Sequence, residues 1–163
     1  MKKIITQIAV AFGCLFLAGC DTVFDVHPYD VHVDGDKNVN AANIAKIESA
    51  IKYKDTIRFA MISDTHQWLD DLKKEVNDIN RRKDSIDFVL HCGDVTDFGA
   101  TQEFLWTRDR LKKLKMPFVV LLGNHDCLGT GNQTYEVVFG KPDFSFIAGR
   151  VKFVCLNTNA IEY

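Results

Sequence analysis

Three short polar stretches each follow an apolar run, and together they hold the side chains best suited to chemistry. Asp64 and His66 come after the first run, and Asp94 and Asn124 come after the next two. Asp64, Asp94 and Asn124 are thirty residues apart, which is about the length of one strand–helix–strand unit. Open α/β sheets bind their ligands at the carboxyl ends of the strands. We therefore expect these side chains to lie side by side.

The residue types at these positions are those of a metal site. Carboxylate, imidazole and amide donors without thiolate suit Mn, Fe, Zn or Co better than copper(I) or an iron–sulfur cluster. Asp64 and His66 are two residues apart, so in an extended chain their side chains would point to the same side. Gathering Asp64, Asp94 and Asp97 without a cation would be costly, because clustered carboxylates repel one another.

Each stretch alone is weak evidence, since a single Asp after a strand is usually a turn former or a helix cap. The patterns D-x-H, G-D-x-x-D and G-N-H-D occur here in order, each after a strand pattern. Gly93 and Gly123 precede two of the candidate ligands and would allow the backbone to turn sharply beside a ligand. Together these features favour a metal site over three unrelated turns.

The elements that must position these stretches alternate between strand and helix. Apolar runs predict buried strands, and the segments between them predict helices. Such alternation favours right-handed crossovers and a parallel sheet covered by helices. The predicted strands lie at 56–63, 86–92 and 117–123, and the predicted helices at about 69–82 and 101–115.

The flanking segments are less regular. A short strand is predicted around Val31–Val33, and a helix over 41–53 could be capped by Asn38 or Asn40. Downstream, the runs YEVVFG, FSFIAG and VKFVCLN predict hairpin or meander strands that could form a second sheet.

The three patterns resemble those of the calcineurin-like metallophosphoesterases, over about residues 57–157. The resemblance implies an α/β fold of two mixed sheets packed as a sandwich with outer helices, and two divalent metal ions. Asp64 and His66 would bind the first ion, Asp94 would bridge the two ions, and Asn124 would bind the second. The reaction would be hydrolysis of a phosphate mono- or diester, in which a hydroxide held by both ions attacks phosphorus.

The resemblance also implies roles for the remaining polar residues. His125 would act as an acid toward the leaving-group oxygen or stabilise charge on the phosphoryl group, and Asp126 would orient His125. Asp97 would support the metal ligands or make a plain turn hydrogen bond. His91, inside a predicted strand, is expected to be packed in the core or to contact the ligands. Neither the substrate nor the identity of the metal is encoded in these residues.

The family also supplies a lone His on a later strand and a G-H-x-H motif. The five histidines of this chain are His27, His32, His66, His91 and His125, so none follows the third stretch. We therefore expect the N-terminal part of a longer protein, with a fold and metal site incomplete at the C-terminus. Such a chain alone would bind metal weakly and have little or no esterase activity. The alternative is a truncated or inactive phosphoesterase-fold envelope protein with a binding role or none.

The first twenty residues predict export. Lys2 and Lys3 precede an apolar run of fifteen residues, Ile4–Ala18, which is short for a membrane span. The ending LAGC resembles a bacterial lipobox, so Cys20 would carry the lipid of a membrane-anchored lipoprotein of the cell envelope. An ordinary signal peptide or an uncleaved anchor is the alternative. The predicted division is a signal peptide at 1–19, a lipidated N-terminus with tether and short helix at 20–55, and the phosphoesterase domain at 56–163.

Composition excludes some other classes. The net charge is −2, and loss of Lys2 and Lys3 with the signal would make it −4, which gives no electrostatic case for nucleic acid. Cys92, Cys127 and Cys155 would remain, and an odd set is no disulfide framework. The chain has neither G-x-G-x-x-G nor G-x-x-x-x-G-K-[ST], which disfavours a nucleotide-binding fold. The expected partners are a phosphoester substrate and, through Cys20, a membrane, while the oligomeric state stays open.

Overall fold

Strands and helices alternate along residues 27–159, the part of the chain that the computed structural model describes. These residues form four α-helices, five strands and two short 3-10 turns, the turns at Lys83–Ser85 and His125–Cys127. In chain order the main elements are α1 (Val39–Ala50), β1 (Phe59–Ile62), α2 (Leu69–Arg81), β2 (Phe88–His91), α3 (Thr101–Leu111), β3 (Phe118–Val120), α4 (Gly131–Val138), β4 (Phe144–Ala148) and β5 (Val151–Cys155).

A parallel sheet with the order β1–β2–β3 forms the centre of the fold. All four residues of β2 are buried, and its side chains alternate between two core clusters. Val89 packs with α2, α3 and α4 residues on one side, while Phe88 and Leu90 pack with α1 and the β4–β5 hairpin on the other. β2 and β3 are buried on both faces, which explains why they read as continuous apolar runs. The strand predicted at 56–63 is present as β1, but its predicted burial is wrong, because β1 lies at the edge of the sheet and leaves Phe59 and Met61 exposed.

The second sheet is the antiparallel hairpin β4–β5, which packs on the first through aromatic rings. Phe146 stacks on Phe153 with ring centroids 4.9 Å apart, and both meet Phe88 edge-on. The hairpin prediction for FSFIAG and VKFVCLN is confirmed, whereas the strand predicted at YEVVFG is wrong. Those residues lie largely in α4, because Tyr135, Val138 and Phe139, at helical spacing, are fully buried against the core.

The segment before α1 packs along the domain from His27 onward. The predicted strand at Val31–Val33 is wrong, since these residues have no strand partner in the described part of the chain. Side chains bind the backbone here instead: Thr101 donates to the carbonyl of Asp30, and Arg108 donates to that of Asp34. Asn38 precedes α1, but its side chain makes no capping hydrogen bond.

Buried Asn40 joins α1 to the sheet. Its Nδ2 donates to the carbonyl of Val120 at 2.8 Å, and its Oδ1 accepts the Val120 N–H at 2.9 Å. This pair of hydrogen bonds occupies the edge of β3 as a further strand would. No helix among residues 27–159 is long and apolar enough to cross a membrane. The predicted signal peptide and the predicted lipidation of Cys20 lie outside the described residues.

Candidate metal centre

The three polar stretches form the loops that follow β1, β2 and β3, at one edge of the parallel sheet. Hydrogen bonds join each loop to the next. The N–H of Asp64 donates to the carbonyl of Gly93, and that of His66 donates to the carbonyl of Asp94, both at 3.1 Å. The N–H of His125 donates to Oδ1 of Asp94 at 2.9 Å. The three loops therefore form one connected surface, which we call the metal edge.

Two glycines allow the second and third loops to touch. A Cβ on Gly93 would lie 2.8 Å from Cα of Gly123, and Gly93 has a left-handed φ of 99°. A Cβ on Gly123 would lie 2.2 Å from both N and Oδ1 of Asp94. Any side chain at either position would force the loops apart, so the close approach depends on glycine.

Asp64, His66 and Asp94 offer a donor set that could hold a metal ion. One donor atom from each lies within 4.8 Å of the others. Nε2 of His66 and Oδ1 of Asp64 are 4.0 Å apart. Two donors that share an ion at roughly 2.1 Å each can be at most about 4.2 Å apart, so this spacing fits one ion between them.

The expectation that Asp64 and His66 point to the same side assumed the wrong backbone conformation. Asp64, His66 and Asp94 all have left-handed φ, of 56°, 41° and 54°, and not the extended conformation from which a shared side was expected. Such conformations cost free energy in residues other than glycine and are found at functional sites. The hydrogen bonds between the loops hold them in place here.

His66 is oriented by a hydrogen bond on its other ring nitrogen. Nδ1 lies 2.9 Å from the carbonyl of Thr96 and 3.0 Å from Oδ1 of Asp97. Because both neighbours are acceptors, Nδ1 carries the proton and Nε2 keeps its lone pair toward Asp64. This is the arrangement that fixes a metal-binding imidazole in the correct tautomer. Asp97 thus contacts a candidate ligand directly, and its role in supporting a metal site stays a prediction.

Asp94 lies between the first and third loops. Its carboxylate is within reach of Asp64 and His66 and also accepts the backbone N–H of His125. Its predicted role as a ligand shared by two ions stays a prediction. Asn124, the predicted ligand of the second ion, is exposed, and its carbonyl accepts the N–H of Cys127 at 3.2 Å. Its side-chain role stays a prediction.

His125 lies against His66 with ring centroids 4.8 Å apart at 81°. Its Nδ1 is 2.9 Å from the carbonyl of Asp97, so Nδ1 donates and Nε2 is left for a substrate. That carbonyl, followed by the carboxylates of Asp94, Asp97 and Asp126, raises the pKa of His125 against the effect of burial. A raised pKa favours the protonated ring, as a proton donor requires.

The hydrogen bonds of Asp126 go to residues other than His125, which it was predicted to orient. Its buried carboxylate accepts three hydrogen bonds of 2.9 Å, two from the N–H and Oγ1 of Thr96 and one from the N–H of Gly123. Burial raises the pKa of Asp126 while these bonds lower it, with a net increase. The orienting contact on His125 comes from the Asp97 carbonyl, so Asp126 joins two loops instead of aiming the imidazole.

Sequence reasoning missed Glu103, which shapes the second loop. Its buried carboxylate accepts the N–H groups of Ala100 at 3.0 Å, Phe98 at 3.2 Å and Asp97 at 3.4 Å. Glu103 occupies the third position of α3, where a Glu commonly binds back to the N-terminal backbone. The stretch ATQE, with Glu103 three residues after Ala100, is the sequence pattern that could have predicted this contact.

His91 and Thr65 form a second missed contact beneath the first loop. Both are buried, and Nε2 of His91 lies 2.9 Å from Oγ1 of Thr65, the residue between two candidate ligands. Burial lowers the pKa of His91 to about 4, so the ring is neutral at physiological pH. His91 is therefore packed in the core, one of the two positions expected for it.

Two cavities differ in their relation to this edge. One of about 400 Å³ borders Asp64 and is lined further by Thr65, Trp68, Asp71 and Glu75. A cavity of about 450 Å³ contains none of the residues of the three loops and is lined by Lys37, Lys46, Lys112 and Lys115 among others. The smaller one is the candidate substrate site, because it adjoins a candidate ligand.

Residues 57–161 match the sequence model of the family described as calcineurin-like phosphoesterase. The chain belongs to this family. The resemblance seen in the three patterns is thereby confirmed, and the parallel sheet with its helices agrees with the calcineurin-like phosphoesterase fold.

One curated relative adds a narrower similarity. A 48-residue segment is 42% identical to the probable glycerophosphodiester phosphodiesterase GpdQ of Arcobacter nitrofigilis. The aligned segment is 29% of this chain and 18% of the relative, so the chain covers less than a fifth of the length of that protein.

Proposed function

We propose that this chain is the metal-binding part of a phosphoesterase anchored to the bacterial cell envelope through a lipid on Cys20. The observation that carries the proposal is the convergence of Asp64, His66 and Asp94, with the proton of His66 held on Nδ1. A bound pair of divalent ions would supply Lewis acidity and an activated water. Asp64 and His66 would hold one ion, and Asp94 would be shared with the ion bound by Asn124.

The chain's own residues would then position and protonate the substrate. His125 donates a proton from Nε2 to the leaving-group oxygen, because its Nδ1 is occupied by the carbonyl of Asp97. Asp126, through Thr96 and Gly123, holds the loop that carries His125. These roles need no large movement, since the loops are already hydrogen-bonded to one another.

We propose a phosphodiester as the substrate class. The support is the relative whose name describes a probable glycerophosphodiester phosphodiesterase, together with the cavity that extends from Asp64 past Trp68. A diester carries a group on each side of phosphorus, and this cavity offers space for the second group. A monoester has no such group to place there.

The experiment measures metal binding and hydrolysis separately. Titration calorimetry of the metal-free chain with Mn²⁺ or Zn²⁺ gives affinity and stoichiometry, and bis(p-nitrophenyl) phosphate and p-nitrophenyl phosphate report diesterase and monoesterase activity. We expect Asp94→Asn to weaken metal binding by at least about tenfold. Asp55→Asn is the matched control, because Asp55 is an exposed carboxylate whose recorded ion pair is with Arg150. Equal metal affinity in the two variants would contradict the proposal.

A binding role without turnover is the second candidate. It is favoured by the donors found in the described loops, where His66 is a candidate imidazole ligand for the first ion and Asn124 offers an amide for the second. Imidazole is a strong donor for borderline metals, so a second ion held without it would bind weakly. One ion per chain with no hydrolysis of either ester would select this candidate.

A further inference from the structure

Each of the three loops at the metal edge presents one large apolar side chain to solvent. Trp68 is 69% exposed, Phe98 57% and Leu128 44%. Trp68 follows His66 by two residues, Phe98 follows Asp97 directly, and Leu128 follows Asp126 by two. Single exposed apolar residues are ordinary, but here one recurs in every loop that carries a candidate ligand. We call Trp68, Phe98 and Leu128 the apolar rim.

The three segments that carry the apolar rim are contiguous. A Cβ on Gly99 would lie 2.2 Å from the carbonyl oxygen of Leu128, so the segment of Phe98 touches that of Leu128. The carboxylate of Glu103 accepts the N–H of Phe98 and lies 3.4 Å from Nε2 of Gln67, the neighbour of Trp68. The three segments are therefore held together, so the apolar rim lies along one connected part of the surface.

The described chain begins beside the same rim. The carbonyl of Pro28 accepts the N–H of Thr101 at 3.1 Å, and that of Tyr29 accepts Oγ1 of Thr130 at 2.6 Å. The Tyr29 ring packs so closely on Gly129 that a Cβ there would lie 2.5 Å from it. Gly129 is the neighbour of Leu128, so the N-terminal segment enters the domain at the metal edge.

The short segment between Cys20 and His27 limits how far the metal edge can lie from a lipid on Cys20. Six residues lie between Cys20 and His27, and the seven steps from one to the other span at most about 25 Å even when fully extended. A domain of this size is about 36 Å across. A lipid on Cys20 would therefore hold the metal edge nearer the bilayer than the opposite edge, where Tyr53 lies.

We infer that the metal edge faces the lipid bilayer, with the apolar rim in contact with lipid, so that the domain acts on phosphoesters presented at that surface. The inference rests on the lipid anchor proposed above. Trp favours the membrane interface because its ring is apolar and its indole N–H is polar, and Phe and Leu bury their apolar side chains at the boundary with the acyl chains. Asp70 and Asp71 follow Trp68 closely, so contact depends on apolar insertion and not on attraction to anionic headgroups.

The test uses tryptophan fluorescence of the mature lipidated chain in phosphatidylcholine vesicles with brominated or unbrominated acyl chains. The chain has two tryptophans, so Trp106→Phe leaves Trp68 as the reporter at the metal edge. The control reporter is Tyr53→Trp in a Trp68→Phe/Trp106→Phe background. Tyr53 is 88% exposed, and its neighbour Lys54 pairs with Asp87 just before β2, at the opposite edge.

We expect brominated lipid to quench Trp68 and vesicles to shift its emission to the blue, whereas the Y53W reporter keeps its intensity and wavelength. Both effects should persist at high salt, because apolar contacts are not screened. Adding Phe98→Ser and Leu128→Ser to the Trp106→Phe protein should reduce the quenching, with circular dichroism confirming that the protein is folded.

Three outcomes would overturn the inference. They are equal quenching of the two reporters, stronger quenching of the Y53W reporter, and a mature N-terminus without lipid by mass spectrometry. None of these measurements requires hydrolysis. An inactive enzyme therefore leaves this test intact, and an active enzyme with an unquenched Trp68 separates the two proposals.

Discussion

Asp126 and Thr96 are joined by two buried hydrogen bonds, from the N–H and Oγ1 of Thr96 to the same carboxylate oxygen. A third bond ties the other oxygen of Asp126 to Gly123. One side chain thereby connects the second and third loops at the point where the candidate ligands meet. This relationship replaces the one suggested by sequence, in which Asp126 acts on its neighbour His125.

Thr96→Val should destabilise the fold and weaken the metal site. Loss of the Oγ1 hydrogen bond to a buried carboxylate should lower the free energy of unfolding by about 1–3 kcal/mol. Thr107→Val is the control, because Thr107 is equally buried and its Oγ1 donates one hydrogen bond, to the carbonyl of Val95, whereas Oγ1 of Thr96 also accepts the N–H of Gly99. Urea unfolding should show a loss in both variants, larger for Thr96→Val, while calorimetry should show weaker Mn²⁺ binding only for Thr96→Val. Unchanged metal binding in both would contradict the role given to Asp126.

Asn40→Ala should be more costly than Asn80→Ala. Each asparagine donates to one backbone carbonyl and accepts one backbone N–H, but Asn40 is buried and Asn80 is partly exposed. Water can replace the bonds of Asn80, whereas the Val120 N–H would be left unpaired. We expect Asn40→Ala to lower the free energy of unfolding by about 2–4 kcal/mol and Asn80→Ala by less than about 1 kcal/mol. Chemical denaturation measures both, and equal losses would mean that α1 is not fixed by this contact.

The metal-free protein should lose stability as the pH falls below 6.5. Burial lowers the pKa of His91 to about 4 in the folded state, whereas an unfolded histidine titrates near 6.5. Between these values the unfolded state binds the extra proton, so the free energy of unfolding decreases as the pH falls, by about 3 kcal/mol in total. Urea unfolding from pH 7.5 to 4.5 with a chelator present measures the slope.

His91→Gln should flatten that slope, since glutamine does not titrate. His32→Gln is the control, because His32 is exposed and its one recorded ion pair is with exposed Asp34. Each variant loses one imidazole relative to the unmodified protein, and both carry the same His→Gln substitution. An identical pH slope in both would show that another group causes the acid sensitivity.

His125→Gln should reduce hydrolysis without releasing the metal. In the proposed reaction His125 protonates the leaving oxygen, so its loss should lower turnover by about 10²–10⁴-fold for a poor leaving group. The loss should be smaller for p-nitrophenolate, which needs little protonation. Calorimetry of the same variant should give wild-type metal affinity, since the proposed ligands do not include His125 and its Nδ1 is bonded to the carbonyl of Asp97. Equal losses of turnover for both leaving groups would show that His125 does not act as the acid.

The sequence predicts the parallel sheet and its metal edge well, because each depends on local and regular features. Continuous apolar runs predict the strands, of which β2 and β3 are buried on both faces. A spacing of thirty residues brings Asp64, Asp94 and Asn124 to one edge. The strand wrongly predicted at YEVVFG shows the opposite case. Its apolar residues are compatible with either element, and only packing of Tyr135 and Phe139 against the core selects a helix.

The details of the site depend on contacts between residues distant in sequence. Neither the left-handed conformations of Asp64 and His66 nor the hydrogen bonds between Thr96 and Asp126 can be predicted from the residues next to them in sequence. Trp106, a large apolar residue on α3, is 45% exposed. Burial of an individual side chain is decided by how elements pack, which the helix pattern alone does not specify.

The contact between Gly93 and Gly123 makes the second and third loops a single mechanical unit. A methyl group on either glycine would push both loops apart at once, and with them the residues proposed for two different ions. The spacing between these two loops is thus set by the absence of a side chain at both positions. Substitution of outward-facing residues can alter the chemistry of the metal edge one residue at a time. A change in the spacing between the two loops would instead move all the site residues on them together.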